Sequence, residues 1–161
     1  MKKLWAPWRM KYILDIDKND GCIFCEKPKQ NRDKENLILY RGKTCFVMMN
    51  RFPYNNGHLL IAPYRHTADL SALSDEEKKE MMDRTGEWVK TLSDRMGAQG
   101  CNVGMNLGRI AGAGIADHLH MHLVPRWEGD TNFMPVLGDT KVMSEALEDT
   151  YKKLKRSVPS S

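Results

Sequence analysis

The stretch "DHLHMHLVPRW" sets His118, His120 and His122 at alternate positions. Successive side chains of an extended chain point to opposite faces, so the three imidazoles share one face and Leu119, Met121 and Leu123 share the other. A segment of this kind calls for a sheet in which one face packs and the other is free to react. Three imidazoles in a row make a poor core, because each brings ring nitrogens that need partners and protonation would set like charges side by side. Histidine is intermediate in its tendency to be buried, so the strand taken alone is also compatible with a structural role.

The rest of the chain reads as an α+β protein, an antiparallel sheet packed with one long helix and a C-terminal helix. "NLILY" and "TCFVMMN" flank the turn-like "RGK" and suit a β-hairpin, and "GHLLIAPYRH" adds a third strand that Pro63 stops. Ser74 followed by Asp75, Glu76 and Glu77 is a capping box, and acidic residues there favour a helix N-terminus. Met81, Thr85, Trp88, Val89, Leu92 and Met96 recur at helical spacing, and Gly97 can end the run. "CNVGMNLG" and "HLHMHLVP" read as strands around the glycine-rich "RIAGAGIAD". A weaker helical pattern follows through Met143, Leu147, Tyr151 and Leu154. Trp5, Trp8, Tyr12 and Ile13 suit an arm packed on the body or on a second subunit. The expected organisation is an N-terminal arm over residues 1–20 and a single domain over residues 21–161.

The 161 residues are enough for one domain with a hydrophobic core. A net charge of +4 suits a phosphate-bearing small ligand but is too weak to argue for a nucleic-acid groove. No apolar run reaches the length of a membrane span, and the N-terminal segment has no signal-peptide pattern, so the expected location is cytoplasmic, with neither nucleic acid nor membrane as partner. In a reducing compartment the four cysteines suit metal or packing roles, and Cys45 and Cys101 fall in apolar strand contexts as core residues. The pair in "CIFC" is half a metal site; a redox pair or two packing cysteines read as well from the spacing alone.

Glycines just before the histidines, Gly108, Gly112 and Gly114, let backbone N–H groups approach an oxygen-rich ligand. A neutral imidazole attacks phosphorus when a neighbour orients its other nitrogen. Here the pattern becomes specific: "HLHMHLVPR" resembles the histidine-triad signature of a superfamily of nucleotide hydrolases and transferases. "NRFPYNNGHLLIAP" resembles the segment these proteins use for the nucleoside. "WAPWR", "CIFC", "NLGRIAGAG" and "PRWEGDTNFMP" resemble the bacterial branch linked to diadenosine tetraphosphate phosphorylase.

The resemblance implies a triad-type fold and nucleotidyl transfer on nucleoside polyphosphates through a nucleotidyl-histidine intermediate. His120 takes the role of nucleophile, with His122 as phosphate donor and His58 as a fourth, supporting histidine. Asn50 takes the ribose position. Asn106, Ala113, Gly114 and Trp127 are implied as further substrate-binding residues, with Arg109 near the phosphates. Cys22, Cys25, His66 and His118 match the positions at which some triad proteins bind a structural zinc; no organic cofactor is implied. Family members form homodimers with the sheet continued across subunits, so a homodimer or higher homo-oligomer is expected.

The leading expectation is a diadenosine tetraphosphate phosphorylase, with inorganic phosphate as second substrate and ADP and ATP as products. Ala113 and Gly114 stand where the phosphorylase branch carries Gly-Ser and where many hydrolases carry glutamine at the second position, which leaves water or phosphate open as acceptor. A dinucleoside polyphosphate or nucleoside phosphoramidate hydrolase of the same family is one alternative. Two others are a zinc-dependent hydrolase with His118 and His120 on a catalytic metal, and a nucleotide-binding protein without turnover.

Overall fold

In the computed structural model, residues 21–132 and 142–155 are described; the expected arm lies outside them, as do positions 133–135 of the last motif. Cys22 opens a helix, α1 (Ile23–Lys29), which the sequence pattern does not signal, and one turn, α2 (Asp33–Asn36), follows it. Strands β1 (Ile38–Arg41), β2 (Cys45–Met49) and β3 (Leu59–Pro63) precede the long helix α3 (Asp75–Met96). Strands β4 (Gly100–Met105) and β5 (Met121–Arg126) follow, and α4 (Leu147–Lys155) closes the described chain, leaving Met143 outside the expected last helix.

The five strands form one antiparallel sheet in the order β1-β2-β3-β5-β4. One face is the main core. Leu39, Val47, Met49, Leu59, Ile61, Met121 and Leu123 pack there against Met81, Trp88 and Leu92 of α3 and Tyr151 and Leu154 of α4. Each fully buried aliphatic side chain in such a layer contributes about 1.5–3 kcal/mol. Ile38, Phe46, Met48, Leu60 and Ala62 turn to the other face, where Phe24 of α1 covers them. Register aligns Ile38 with Met48, Met48 with Leu60, Leu60 with His122, and His122 with Gly104. The apolar row on the α1 face therefore ends at a histidine.

Helix α3 starts as its sequence prescribes. Ser74 accepts from the Glu77 N–H, the Glu77 carboxylate accepts from the Ser74 N–H, and Gly97 ends the helix at φ +63°. Glu77 also binds Arg65 through both Nε and Nη2, and Arg65 holds its carboxyl down to about 2. That ion pair fixes the segment after β3, including His66, against the helix start. Val89 and Met96 on the predicted apolar stripe are half-buried beside the core, and so is Cys101, whereas Cys45 is fully enclosed.

One expected strand is shorter than the histidine pattern implies. The β3–β5 ladder ends at Ile61 opposite Met121, so Leu119 would oppose Pro63, which has no N–H to give. The Leu119 N–H goes instead to the Thr67 carbonyl, 2.8 Å away. His118 and His120 thus precede the ladder, yet their side chains still alternate with Leu119 and Met121, which join the main core.

The loop 50–58 closes through the Asn50 N–H on the His58 carbonyl and is pinned to β5 by Asn55 Nδ2 on the Pro125 carbonyl. Gly57 sits in it at φ +74°, a left-handed conformation costly for any residue with a Cβ, and a Cβ there would lie 2.7 Å from Met96 Sδ. Gly57→Ala is expected to destabilise the protein by at least about 1 kcal/mol, read as a lower urea midpoint at unchanged m-value.

Candidate active site and metal centre

Backbone atoms decide which nitrogen of each histidine carries hydrogen, because a carbonyl only accepts and a backbone N–H only donates. His120 Nδ1 lies 2.9 Å from the His118 carbonyl, so Nδ1 is protonated and Nε2 keeps its lone pair. His58 Nδ1 accepts from the Tyr54 N–H at 3.0 Å, so His58 carries its hydrogen on Nε2. That Nε2–H meets His122 Nδ1 at 2.9 Å, which forces the His122 hydrogen onto Nε2. His122 Nε2 is buried and has no hydrogen-bond partner, a donor waiting for an acceptor. Two adjacent imidazoles, with centroids 4.9 Å apart, thus present opposite functions, one lone pair and one N–H.

Asn50 supports this chain. Its Oδ1 accepts from the Phe52 N–H at 2.9 Å, which turns Nδ2 toward His58 Nδ1 at 3.3 Å. All four rings stay neutral under ordinary conditions. Burial, then the neighbouring His122 and His120, lowers His58 to about 3, and burial lowers His122 to about 4. Burial also lowers His120 and His118.

His118 faces a different partner set. Its Nε2 donates to the Pro63 carbonyl at 2.8 Å, so its Nδ1 is a free lone pair. That atom lies 3.3 Å from Cys22 Sγ, 3.6 Å from Cys25 Sγ and 3.2 Å from His66 Nδ1, and Cys25 Sγ lies 3.5 Å from His66 Nδ1. The four ligand atoms all lie within 4.8 Å of one another. A tetrahedral zinc with ordinary Zn–N and Zn–S bonds would set its ligand atoms about 3.4–3.8 Å apart, close to what the four side chains already show. Burial, then the Cys22 thiol beside it, raises Cys25, so two thiolates here call for a cation between them. The donor set therefore fits a four-coordinate cation, and His120 is not part of it.

The remaining site candidates divide. Arg109 and Gly114 line a cavity of about 340 Å³ together with Gly21, Cys22, His66 and Asp117. Ala113 is buried, and Asn106 Nδ2 reaches the Gly112 carbonyl at 3.4 Å. Gly104, opposite His122, has open space where a Cβ would point. Trp127 is not on the histidine face of its own chain: it packs on the main core, with Nε1 donating to the Met96 carbonyl at 3.1 Å. Two residues were not singled out from the sequence. Phe24 packs at a tilt against His118 and His120, with centroids 5.2 and 4.7 Å away, and its place inside "CIFC" was the available signal. Tyr54 contributes a backbone N–H, for which a sequence carries no signal, and a half-exposed ring parallel to His122 at 5.6 Å.

Comparison with known proteins agrees with this fold. The HIT domain family matches residues 31–129. An AP-4-A phosphorylase of Mycobacterium tuberculosis is 40% identical over 162 residues, covering 96% of this chain and 83% of that protein. An adenosine 5'-monophosphoramidase of Schizosaccharomyces pombe is 31% identical over 106 residues, covering 66% of this chain and 74% of that protein. Among solved structures, a zinc-bound histidine triad family protein from Mycobacterium smegmatis superposes with a TM-score of 0.68 at 23% identity, covering 84% of this chain and 91% of the other. A hypothetical histidine triad nucleotide-binding protein from Sulfolobus tokodaii gives 0.66 at 27% identity, covering 84% and 87%. Among the described residues no helix is long and apolar enough to cross a membrane.

The neutral His58–His122 pair makes the fold acid-sensitive in a defined window. Both folded values lie below the unfolded value of about 6.5, so the unfolded chain binds more protons as pH falls. Their contribution is complete above about pH 6.5 and is lost progressively down to about pH 4 for His122 and about pH 3 for His58, by up to about 1.4 kcal/mol per pH unit for each ring. Urea titrations at pH 7, 6 and 5 are expected to show falling stability, with a shallower fall in His58→Asn.

Proposed function

The chain belongs to the HIT domain family and is a nucleotide-processing enzyme of that family, and from that premise we propose that it is a nucleotidyl transferase acting through His120, with diadenosine tetraphosphate and inorganic phosphate as substrates. The observation that carries this reading is the pairing of opposite tautomers: a lone pair on His120 Nε2 beside a buried, unpartnered N–H on His122. His120 Nε2 attacks an α-phosphorus, the N–P bond forms, and the P–O bond to the rest of the polyphosphate breaks with its electron pair leaving on oxygen as ATP. His122 Nε2–H donates to a phosphoryl oxygen as negative charge gathers there. A phosphate oxygen then attacks the nucleotidyl-histidine, the electron pair of the N–P bond returns to Nε2, and ADP departs.

The 40% identity to a phosphorylase over nearly the whole chain favours phosphate as acceptor. Water is the second reading, favoured by relatives that are adenosine 5'-monophosphoramidases. Asn50, Asn106, Arg109, Ala113 and Gly114 are proposed to surround the substrate, and Cys22, Cys25, His66 and His118 to hold a structural zinc. The resemblance also keeps Trp127 as a substrate residue, a role for which its position favours the site of a second subunit. Residues 21–161 are proposed to act as one domain in the cytoplasm.

The outer edge of β4 is unpaired within the described residues and carries exposed Val103, with Leu107 and the fully exposed Ile110 just beyond. This supports a homodimer with the two β4 strands adjacent. Val103→Asp is expected to shift the mass in solution from dimer to monomer by light scattering.

Product analysis tests the chemistry. With diadenosine tetraphosphate, ADP and ATP are expected only when phosphate is supplied, and His120→Ala is expected to abolish turnover while retaining substrate. AMP and ATP formed without phosphate would assign water as the acceptor.

A further inference from the structure

His118 has two connections that lead in different directions. Its Nδ1 belongs to the cysteine–histidine cluster, and its backbone carbonyl accepts the hydrogen of His120 Nδ1. Phe24 makes a second link between the same two places. Cys22 caps α1 and Cys25 lies in its first turn, with Phe24 between them. The buried ring of Phe24 packs on both His118 and His120. Drawing the two sulfurs and His118 Nδ1 together therefore sets both the seat of α1 on the sheet and the wall against which the His120 ring rests.

We propose that Phe24 is a positioning residue for His120, and that a cation held by Cys22, Cys25, His66 and His118 sets the orientation of the His120 ring through Phe24 and the His118 carbonyl. The inference rests on the reading of His120 as nucleophile. A nucleophilic imidazole has to present Nε2 and no other edge to phosphorus. One hydrogen bond from Nδ1 to a carbonyl resists a ring flip only modestly, and an aromatic wall adds a second restraint of similar size. With α1 released, the ring loses its aromatic wall and keeps the single bond to the His118 carbonyl, while the main core lies on the opposite face of the sheet. Small reagents can reach the cluster, since Cys22 and His66 line the 340 Å³ cavity.

The test compares the full chain loaded with one equivalent of zinc, the same protein after chelation, and zinc-loaded Phe24→Leu. Nitrogen-15 spectra of the imidazoles report the His120 tautomer, and intact mass after rapid mixing with diadenosine tetraphosphate reports nucleotidyl-histidine formation. The zinc-loaded protein is expected to show a single Nδ1–H tautomer. Chelation and Phe24→Leu are each expected to give a mixture of tautomers and adduct formation about tenfold slower, the scale of one lost restraint, with KM within about twofold and Phe24→Leu still holding its zinc. Unchanged tautomer and unchanged adduct rate in Phe24→Leu would overturn the proposal and leave the cluster as a prop for α1. If chelation unfolds the chain, the zinc-loaded variant still decides. Failure of the zinc-loaded wild type to form an adduct would refute nucleotidyl transfer itself, while the spectra would still report whether Phe24 orients the ring.

Discussion

The hydrogen bond from the Tyr54 N–H to His58 Nδ1 governs the arrangement of hydrogens across the buried histidine pair. A backbone N–H cannot reverse its role, so one contact of 3.0 Å specifies the tautomer of His58, and through it that of His122. A histidine in water samples both tautomers; here burial keeps the rings neutral and the backbone chooses between the two neutral forms. The same logic, run from the His118 carbonyl, leaves His120 with its lone pair outward, and from the Pro63 carbonyl it leaves His118 Nδ1 facing two cysteines. Three alternate histidines with one side-chain chemistry thus acquire three different functions.

The fold exists around that chain of contacts in a specific sense. Leu59, Ile61 and Leu123 bury the main-core face under α3, which holds β3 and β5 side by side and brings His58 and His122 together across 64 residues of sequence. Asn55 ties the 50–58 loop to β5, so the Tyr54 N–H arrives at a set position. The interruption of the ladder at Pro63 is equally consequential. It leaves the Pro63 carbonyl to His118 and the Leu119 N–H to Thr67, and His118 so held turns its Nδ1 toward the cysteine cluster.

The expectations from the chain divide according to the range of the physics behind them. The capping box at Ser74, the left-handed Gly97, the hairpin across "RGK" and the helical stripe on α3 are set by neighbours three or four residues apart, and all appear in the structure. The end of β5 did not follow the histidine pattern, because a strand's length depends on what its partner can donate, and Pro63 donates nothing. Helix α1 is not legible in the sequence because seven residues with an internal Pro28 carry no clear helical period; its seat comes from Phe24 packing under the sheet.

The residues of the site were legible because their chemistry is written in their types: alternate histidines, a Cys-x-x-Cys pair and a glycine-rich approach announce themselves at short spacing. By itself the sequence determined which side chains share a face and which residues belong to the HIT pattern, since both depend on backbone periodicity and residue identity. Which nitrogen attacks, which donates and which faces the cysteines was decided only by tertiary structure. Those assignments are made by backbone carbonyls and N–H groups of Pro63, His118 and Tyr54. Backbone groups are nearly the same in every residue, and only folding determines where each of them points.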